Sequence, residues 1–188
     1  MEGGNPDWRV LGLFAGMLDY PGEALAPLAE EAEKVLSENR PEASSLLAEF
    51  RASLRDTSPA RMEEIYTATF DLQAACCPYI GVHLFGEGHK RRIFLARLND
   101  MYGDYRFRAA GELPDHLASV LRFLADSAWG DDARALREDG LLPALEKMAE
   151  AFPEGSANPY GKLLGALRIA LRPGMPVKET PPVPGREV

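Results

Sequence analysis

The chain has 188 residues, of which 46% are hydrophobic and 27% charged, and its formal net charge is −8 at pH 7. This length fits one domain with a single sizeable core. The acidic balance disfavours a nucleic-acid partner, which needs a basic protein face, and suits a basic or amphipathic partner instead.

Apolar residues recur at helical spacing in four segments before residue 71. The predicted helices begin at Asn5-Pro6, Pro21, Arg40-Pro41 and Ser58-Pro59, since proline is favoured in the first turn of a helix. Their apolar stripes consist of Val10, Leu11, Leu13, Phe14, Met17 and Leu18; Leu25, Leu28, Ala32, Val35 and Leu36; Leu46, Leu47, Phe50 and Leu54; and Met62, Ile65, Tyr66, Thr69 and Phe70.

The segment from Asp71 to Gly88 is predicted to be an irregular connection. Beyond it, a helix ends near Gly103, and further helices begin at Pro114, near Asp139 with Pro143 in the first turn, and at Asn158-Pro159. Asp115 is expected in the first turn of the Pro114 helix, where a negative charge favours the helix dipole.

The fold class that these patterns predict is all-α, a single-domain helical bundle. No strand-like alternation or asparagine-glycine hairpin signal accompanies the helical periodicity. We assign residues 1–172 to the helical domain. The proline-rich residues 173–188 have no apolar period and are predicted to be a disordered tail.

The expected location is a reducing cytoplasm. No apolar run approaches the roughly 20 residues of a membrane-spanning helix. The opening residues MEGGNPDWRV carry acids where a secretory signal carries basic residues, so we expect no export signal. The two cysteines, Cys76 and Cys77, are adjacent and form no disulfide framework.

Cys76 and Cys77, with His83 and His89, are candidate zinc ligands or a thiol catalytic group. Adjacent cysteines cannot both easily face one tetrahedral ion, and no CxxC or HxxxH pair is present, so we predict no metal site. Small residues packed in a buried turn are the preferred interpretation. A metal- or thiol-dependent enzyme using these four residues is the alternative.

Three further groups of residues have both a structural and a functional interpretation. Glu112, Asp115 and His116 either begin a helix or edge a groove. Lys90, Arg91 and Arg92 either form a solvated face or bind an anion such as a phosphate-bearing cofactor. Tyr66, Phe70 and Tyr79 belong either to the core or to a groove for an amphipathic helix.

Two stretches, YTATFDLQAACCPYIGVHLFGEGHKR and GELPDHLASVLRFLA, resemble the redox-enzyme maturation chaperones. This family includes the TorD and DmsD proteins and the nitrate reductase delta subunit (NarJ), and the NarJ branch is the most similar. The resemblance extends from about Val10 to Leu171. Cys76-Cys77-Pro78 departs from the family pattern, so the resemblance does not support a metal role there either.

The resemblance implies an all-helical, non-enzymatic chaperone of the TorD-like type. Such proteins bind the N-terminal segment of a molybdenum-containing reductase catalytic subunit, here nitrate reductase-like, and assist insertion of the molybdenum cofactor and assembly of the complex. We expect no permanently bound cofactor, and whether the chain makes transient contact with the molybdopterin cofactor is left open. The acidic charge and the lack of a long apolar run predict neither nucleic-acid binding nor membrane insertion. A permanent structural subunit of a reductase complex is a further alternative.

The predicted peptide-binding site combines both stretches. The resemblance transfers to Tyr66, Phe70, Asp71, Leu72, Pro114, Asp115 and His116, and we add Tyr79, His83 and Glu112. An amphipathic client helix is expected between the Tyr66 and Pro114 helices, with its basic residues facing Asp71, Glu112 and Asp115.

Overall fold

The structure, a computed structural model, describes residues 8–71, 74–109, 111–126 and 130–172. The helices are α1 (Arg9–Met17), α2 (Leu25–Leu36), α3 (Pro41–Arg55), α4 (Pro59–Phe70), α5 (Ile80–Phe85), α6 (His89–Asp104), α7 (Leu117–Asp126), α8 (Gly130–Ala135), α9 (Leu142–Ala149) and α10 (Tyr160–Ala170). A π-helical segment, Leu136–Leu141, joins α8 to α9. The all-α prediction is confirmed.

Several predicted helix starts are confirmed and have a local cause. Pro41 and Pro59 occupy first-turn positions, where the amide that proline lacks needs no partner. The Ser58 hydroxyl accepts a hydrogen bond from the Arg61 amide at 3.3 Å. The Asn158 side chain accepts one from the Tyr160 amide at 3.0 Å and so fixes the start of α10. The predicted Asn5-Pro6 start and the tail 173–188 lie outside the described residues.

The core forms where α1 packs against α2 and α7, while α3 packs against α2 and α10. Phe14, Phe50 and Phe123 are fully buried at its centre. Burial of a side chain of this size contributes roughly 1.5–3 kcal/mol. The apolar stripes read from the sequence therefore point inward. No helix in the described ranges is long and apolar enough to span a bilayer.

An aromatic cluster attaches the C-terminal end of α4 to this core. The fully buried Tyr160 ring of α10 lies 5.0 Å from Phe70 and 5.9 Å from Tyr66, measured between ring centroids. These edge-to-face packings hold the α4 side chains in fixed orientations. One face of α4 is thereby set beside the last turn of α1.

Several predicted elements differ from the structure. The helix predicted to begin at Pro21 begins at Leu25. The connection from Asp71 to Gly88 is not wholly irregular, because it contains the short helix α5. Asp139 does not cap a new helix, since the π-helical segment runs through it directly into α9. Pro143 therefore lies in the first turn of a continuation rather than after a break.

A further difference concerns residues 113–116 (LPDH). The helix predicted to begin at Pro114 begins only after them, at Leu117. The preceding residues form a turn, in which the His116 amide donates to the Leu113 carbonyl at 3.0 Å. This turn pairs with the residues before α5. The Ile80 amide donates to the Asp115 carbonyl at 2.9 Å, and Tyr79 and His116 form an isolated antiparallel bridge.

Candidate functional site

A pocket of about 830 Å³ lies between the C-terminal ends of α1 and α4, residues 74–79 and the beginning of α7. We call it the Tyr66 pocket. Its lining consists of Leu18, Asp19, Tyr20, Tyr66, Phe70, Asp71, Ala74, Cys77, Pro78, Tyr79, Glu112, His116, Ser119 and Arg122. The two sequence stretches that resemble the chaperone family thus meet at one cavity.

Tyr66 and Phe70 form one wall. They are four residues apart on α4 and therefore share a helix face, with their ring centroids 5.4 Å apart. The Tyr66 hydroxyl donates to the Leu18 carbonyl at 3.1 Å, which ties α4 to the end of α1. Burial raises the pKa of Tyr66 to about 12, so the hydroxyl stays protonated and remains a donor.

Tyr79 and His116 form the opposite wall through their antiparallel bridge. Their ring centroids are 5.3 Å apart in an edge-to-face arrangement. The Tyr79 hydroxyl donates to a Glu112 carboxylate oxygen at 3.0 Å. Burial, with this hydrogen bond and the Glu112 charge, raises the pKa of Tyr79 to about 12. The wall is aromatic, and its polar edge is anionic.

The charges around the Tyr66 pocket are mainly acidic. Asp19, Asp71 and Glu112 line it, and all three are exposed. The lining includes one cation, Arg122, whose guanidinium already donates to the Asp19 carboxylate. The pocket therefore combines an aromatic interior with a negative rim, a combination that suits a ligand with apolar and basic side chains.

Asp115 does not belong to this rim, so the prediction that it meets basic residues of a client is wrong. Its side chain is fully buried and accepts two hydrogen bonds from Arg91, at 2.9 Å from Nε and 3.3 Å from Nη2. The reason is the turn before α7. A residue in the first turn of an exposed helix would face solvent, whereas this turn directs the Asp115 side chain toward α6.

Arg91 is likewise not available as an anion-binding residue. It is 8% exposed and also donates to both carboxylate oxygens of Glu87, at 2.9 and 2.8 Å. Hydrogen bonding to Asp115 raises the pKa of Arg91 above its ordinary value, so the guanidinium stays charged between two carboxylates. Lys90 and Arg92 are exposed, and their anion-binding role stays a prediction.

Pro114 and His83 belong to the predicted site but do not line the Tyr66 pocket. The Pro114 carbonyl accepts a hydrogen bond from the Tyr102 hydroxyl at 2.8 Å. The His83 Nε2 atom is 2.7 Å from the Cys77 carbonyl oxygen. Both residues support the chain near the pocket. Leu72 lies outside the described residues.

Sequence reasoning missed the residues contributed by the turn after α1 and by α7. Asp19 and Tyr20 directly precede Pro21, where the sequence predicts a helix start and not a binding site. Ser119 and Arg122 follow His116 at intervals of three residues, a spacing that places all three along one helix face. That polar stripe beside an apolar one is the signal that could have identified them.

The cysteines do not form a coordination set with the histidines. Cys76 is buried with its Sγ atom 3.8 Å from the Met148 carbonyl oxygen, and burial raises the pKa of its thiol to about 12. Such a thiol is protonated at neutral pH and is a poor nucleophile or ligand. In the described ranges, no group of three or more His, Cys, Asp or Glu side chains is placed to hold a metal ion.

We expect His116 to make the stability of the fold depend on pH. Burial lowers the pKa of His116 below 6.5, although nearby Glu112 and Asp19 oppose this shift. Unfolded His116 binds a proton near pH 6.5, but the folded form binds it only at lower pH. The free energy of unfolding should therefore be independent of His116 protonation well above pH 6.5. It should fall as the pH drops below about 6.5, by at most about 1.4 kcal/mol per pH unit for one proton. Urea unfolding of wild type and His116→Gln from pH 7.5 to 5 tests this, and parallel profiles would contradict it.

The sequence matches a family model described as nitrate reductase delta subunit over residues 33–162. A comparison with curated proteins finds no match. Among solved structures, a protein from Archaeoglobus fulgidus assigned to redox enzyme maturation is 20% identical and has a TM-score of 0.58. The alignment covers 86% of this chain and 91% of that chain. At this identity the likeness shows a shared fold.

Proposed function

Because the chain belongs to the nitrate reductase delta subunit family, whose members are redox-enzyme maturation chaperones, we propose that it binds the N-terminal segment of a molybdenum-containing reductase catalytic subunit. Members of this family are chaperones and not enzymes, and they work with molybdoenzyme catalytic subunits. We further propose a nitrate reductase-like client and a cytoplasmic location.

The observation that supports this proposal is the Tyr66 pocket, with its aromatic interior and acidic rim. A basic amphipathic segment of the client would fold as a helix with its apolar face against Tyr66, Phe70 and Tyr79. Exposed ion pairs at the rim contribute roughly 1 kcal/mol or less each, so apolar burial would supply most of the affinity. The acidic rim would set the orientation and the rate of association.

Reversible binding would let the chaperone hold the client and later release it. The chaperone would hold the N-terminal segment while the catalytic subunit lacks its molybdenum cofactor, and so delay assembly of the reductase complex. After cofactor insertion the client would leave. The chain would hold no cofactor permanently, and any contact with the molybdopterin cofactor would be transient.

The first experiment is co-purification of the chain from its host with a molybdoenzyme catalytic subunit, followed by fluorescence anisotropy with that subunit's N-terminal peptide. Glu112→Gln should weaken binding about threefold to fivefold at low salt, because one rim ion pair is lost. It should also reduce the slope of log Kd against log salt concentration.

Glu38→Gln is the matched control, because it removes the same charge from an exposed residue outside the Tyr66 pocket. It should leave both affinity and slope near their wild-type values. If no N-terminal peptide of the co-purified subunit binds, the proposed function is wrong. Equal effects of the two substitutions would show that peptide affinity depends on the net charge of the protein and not on the position of Glu112. Glu112 would then not belong to the site.

A further inference from the structure

A second pocket, of about 420 Å³, lies on the other side of Tyr20. We call it the Met62 pocket. Its lining consists of Pro21, Gly22, Glu23, Leu25, Ala26, Leu54, Thr57, Pro59, Met62 and Glu63, from the start of α2, the end of α3 and the start of α4. Among the described residues none lines both pockets, yet Tyr20 of the first and Pro21 of the second are consecutive.

Tyr20 is the divider between the two pockets. Tyr20 is 59% exposed, and its ring packs edge-to-face against that of Tyr66 with 5.5 Å between the centroids. Its hydroxyl donates to the Glu63 carboxylate, which lines the Met62 pocket, at 3.1 Å. Tyr20 therefore connects the two pockets, because its ring contacts Tyr66 of the first and its hydroxyl contacts Glu63 of the second.

A single face of α4 serves both pockets. Met62, Tyr66 and Phe70 follow one another at intervals of four residues, so they form one stripe along the helix. Met62 lines the second pocket, and the other two line the first. Although Met62 is only 4% and Phe70 only 6% exposed, the same apolar stripe thus contributes to both pockets along the α4 axis, which is the direction an extended or helical segment would follow.

The charges along this path favour the same kind of ligand at both pockets. The charged residues that line the Met62 pocket, Glu23 and Glu63, are both acidic. At the Tyr66 pocket the rim is acidic as well, and Arg122 is paired with Asp19. A basic segment with apolar side chains is complementary to the whole length of the path.

From this shared stripe and charge we propose that the Met62 pocket is a second subsite for the client segment bound in the Tyr66 pocket. It takes an apolar side chain of that segment, while basic residues of the segment pass over Tyr20 near Glu63. The inference rests on the proposed function. Because the second side chain is tethered to the first, its binding adds affinity at a high effective concentration.

The test uses a substitution that fills the Met62 pocket. Ala26 lines it from the exposed side of α2, so Ala26→Trp should occupy the space with little effect on the core. Ala24→Trp is the matched control, because Ala24 is exposed and does not line the pocket. The probes are three synthetic peptides: the N-terminal segment of the co-purified catalytic subunit, and each of its two halves.

Ala26→Trp should weaken binding of the whole segment about tenfold, the effect of losing one buried apolar side chain. It should leave unchanged the affinity for the half-segment that binds the Tyr66 pocket. That half is the one whose affinity is reduced by Glu112→Gln. Unchanged affinity for the whole segment, or equal losses for whole and half, would overturn this inference and leave the proposed function intact. If neither the whole segment nor a half binds the wild type, the proposed function itself fails.

Discussion

Asp115→Ala is expected to lower the free energy of unfolding by about 3 kcal/mol, because it leaves the guanidinium of Arg91 without its main buried partner. The Asp115 side chain has no exposed surface and that of Arg91 is 10% exposed, so hydration compensates little for the lost pair. Glu87 still binds Arg91 from the solvent side, which keeps the loss at the lower end of the usual range.

The same pair positions the wall of the Tyr66 pocket. The Arg91 guanidinium lies 5.4 Å from the centroid of the Tyr79 ring, and Tyr79 in turn binds Glu112. Gly81 confirms how closely these groups pack, since a Cβ atom there would lie 2.5 Å from an Asp115 carboxylate oxygen. We therefore expect Asp115 to influence ligand binding through the position of Tyr79, and not through contact with the ligand.

Urea unfolding measures the loss of stability, with Glu87→Gln as the control. Glu87 is the exposed partner of the same guanidinium, so its loss should cost about 1 kcal/mol or less. Replacing both Arg91 and Asp115 with apolar residues of similar volume should recover much of the stability. The structure indicates that the Arg91–Asp115 pair is shielded from water. Equal stability of Asp115→Ala and Glu87→Gln would contradict this.

Peptide binding separates a positioning role from a direct contact. Asp115→Asn keeps the shape of the side chain, so the variant is expected to fold and to bind the client peptide more weakly. The slope of log Kd against log salt concentration should stay at the wild-type value, in contrast to Glu112→Gln. A reduced slope would instead show that Asp115 forms an ion pair with the peptide, like the residues of the rim.

The helical fold could be predicted from the sequence because its signals are local and periodic. Pro41 and Pro59 mark first turns, and the inward stripes repeat every three or four residues. Tyr66 and Phe70 are assigned to the candidate groove by the family resemblance of their segment, and helical periodicity accounts for their shared face. Their spacing puts them on one face of α4 whatever packs against it.

The parts that sequence reasoning missed depend on distant pairing. An acid after proline is typical of a helix start, yet Asp115 lies in a turn because its backbone pairs with Ile80. The contribution of Asp19 and Tyr20 to the pocket depends on the packing of α1 against α7, which brings the turn after α1 to Arg122. No local pattern encodes either arrangement.

Ala74→Trp is expected to weaken binding of the client's N-terminal peptide at least about 100-fold. Ala74 lines the Tyr66 pocket, so an indole there would occupy the space into which apolar side chains of the peptide are proposed to bind. Excluding two such side chains removes roughly 3 kcal/mol or more of apolar burial. A loss of about 3 kcal/mol corresponds to a Kd more than 100 times higher.

Ala75→Trp is the neighbouring control for this prediction. Ala75 is exposed and does not line the Tyr66 pocket, so the same indole one residue away should leave the peptide affinity close to that of the wild type. Calorimetric titration of both variants measures the affinities, and circular dichroism shows whether each is folded. If folded Ala74→Trp bound the peptide as tightly as Ala75→Trp, the client segment would have to bind elsewhere on the molecule. Binding lost in both variants would instead implicate the backbone of residues 74 and 75, because that is the feature the two substitutions share.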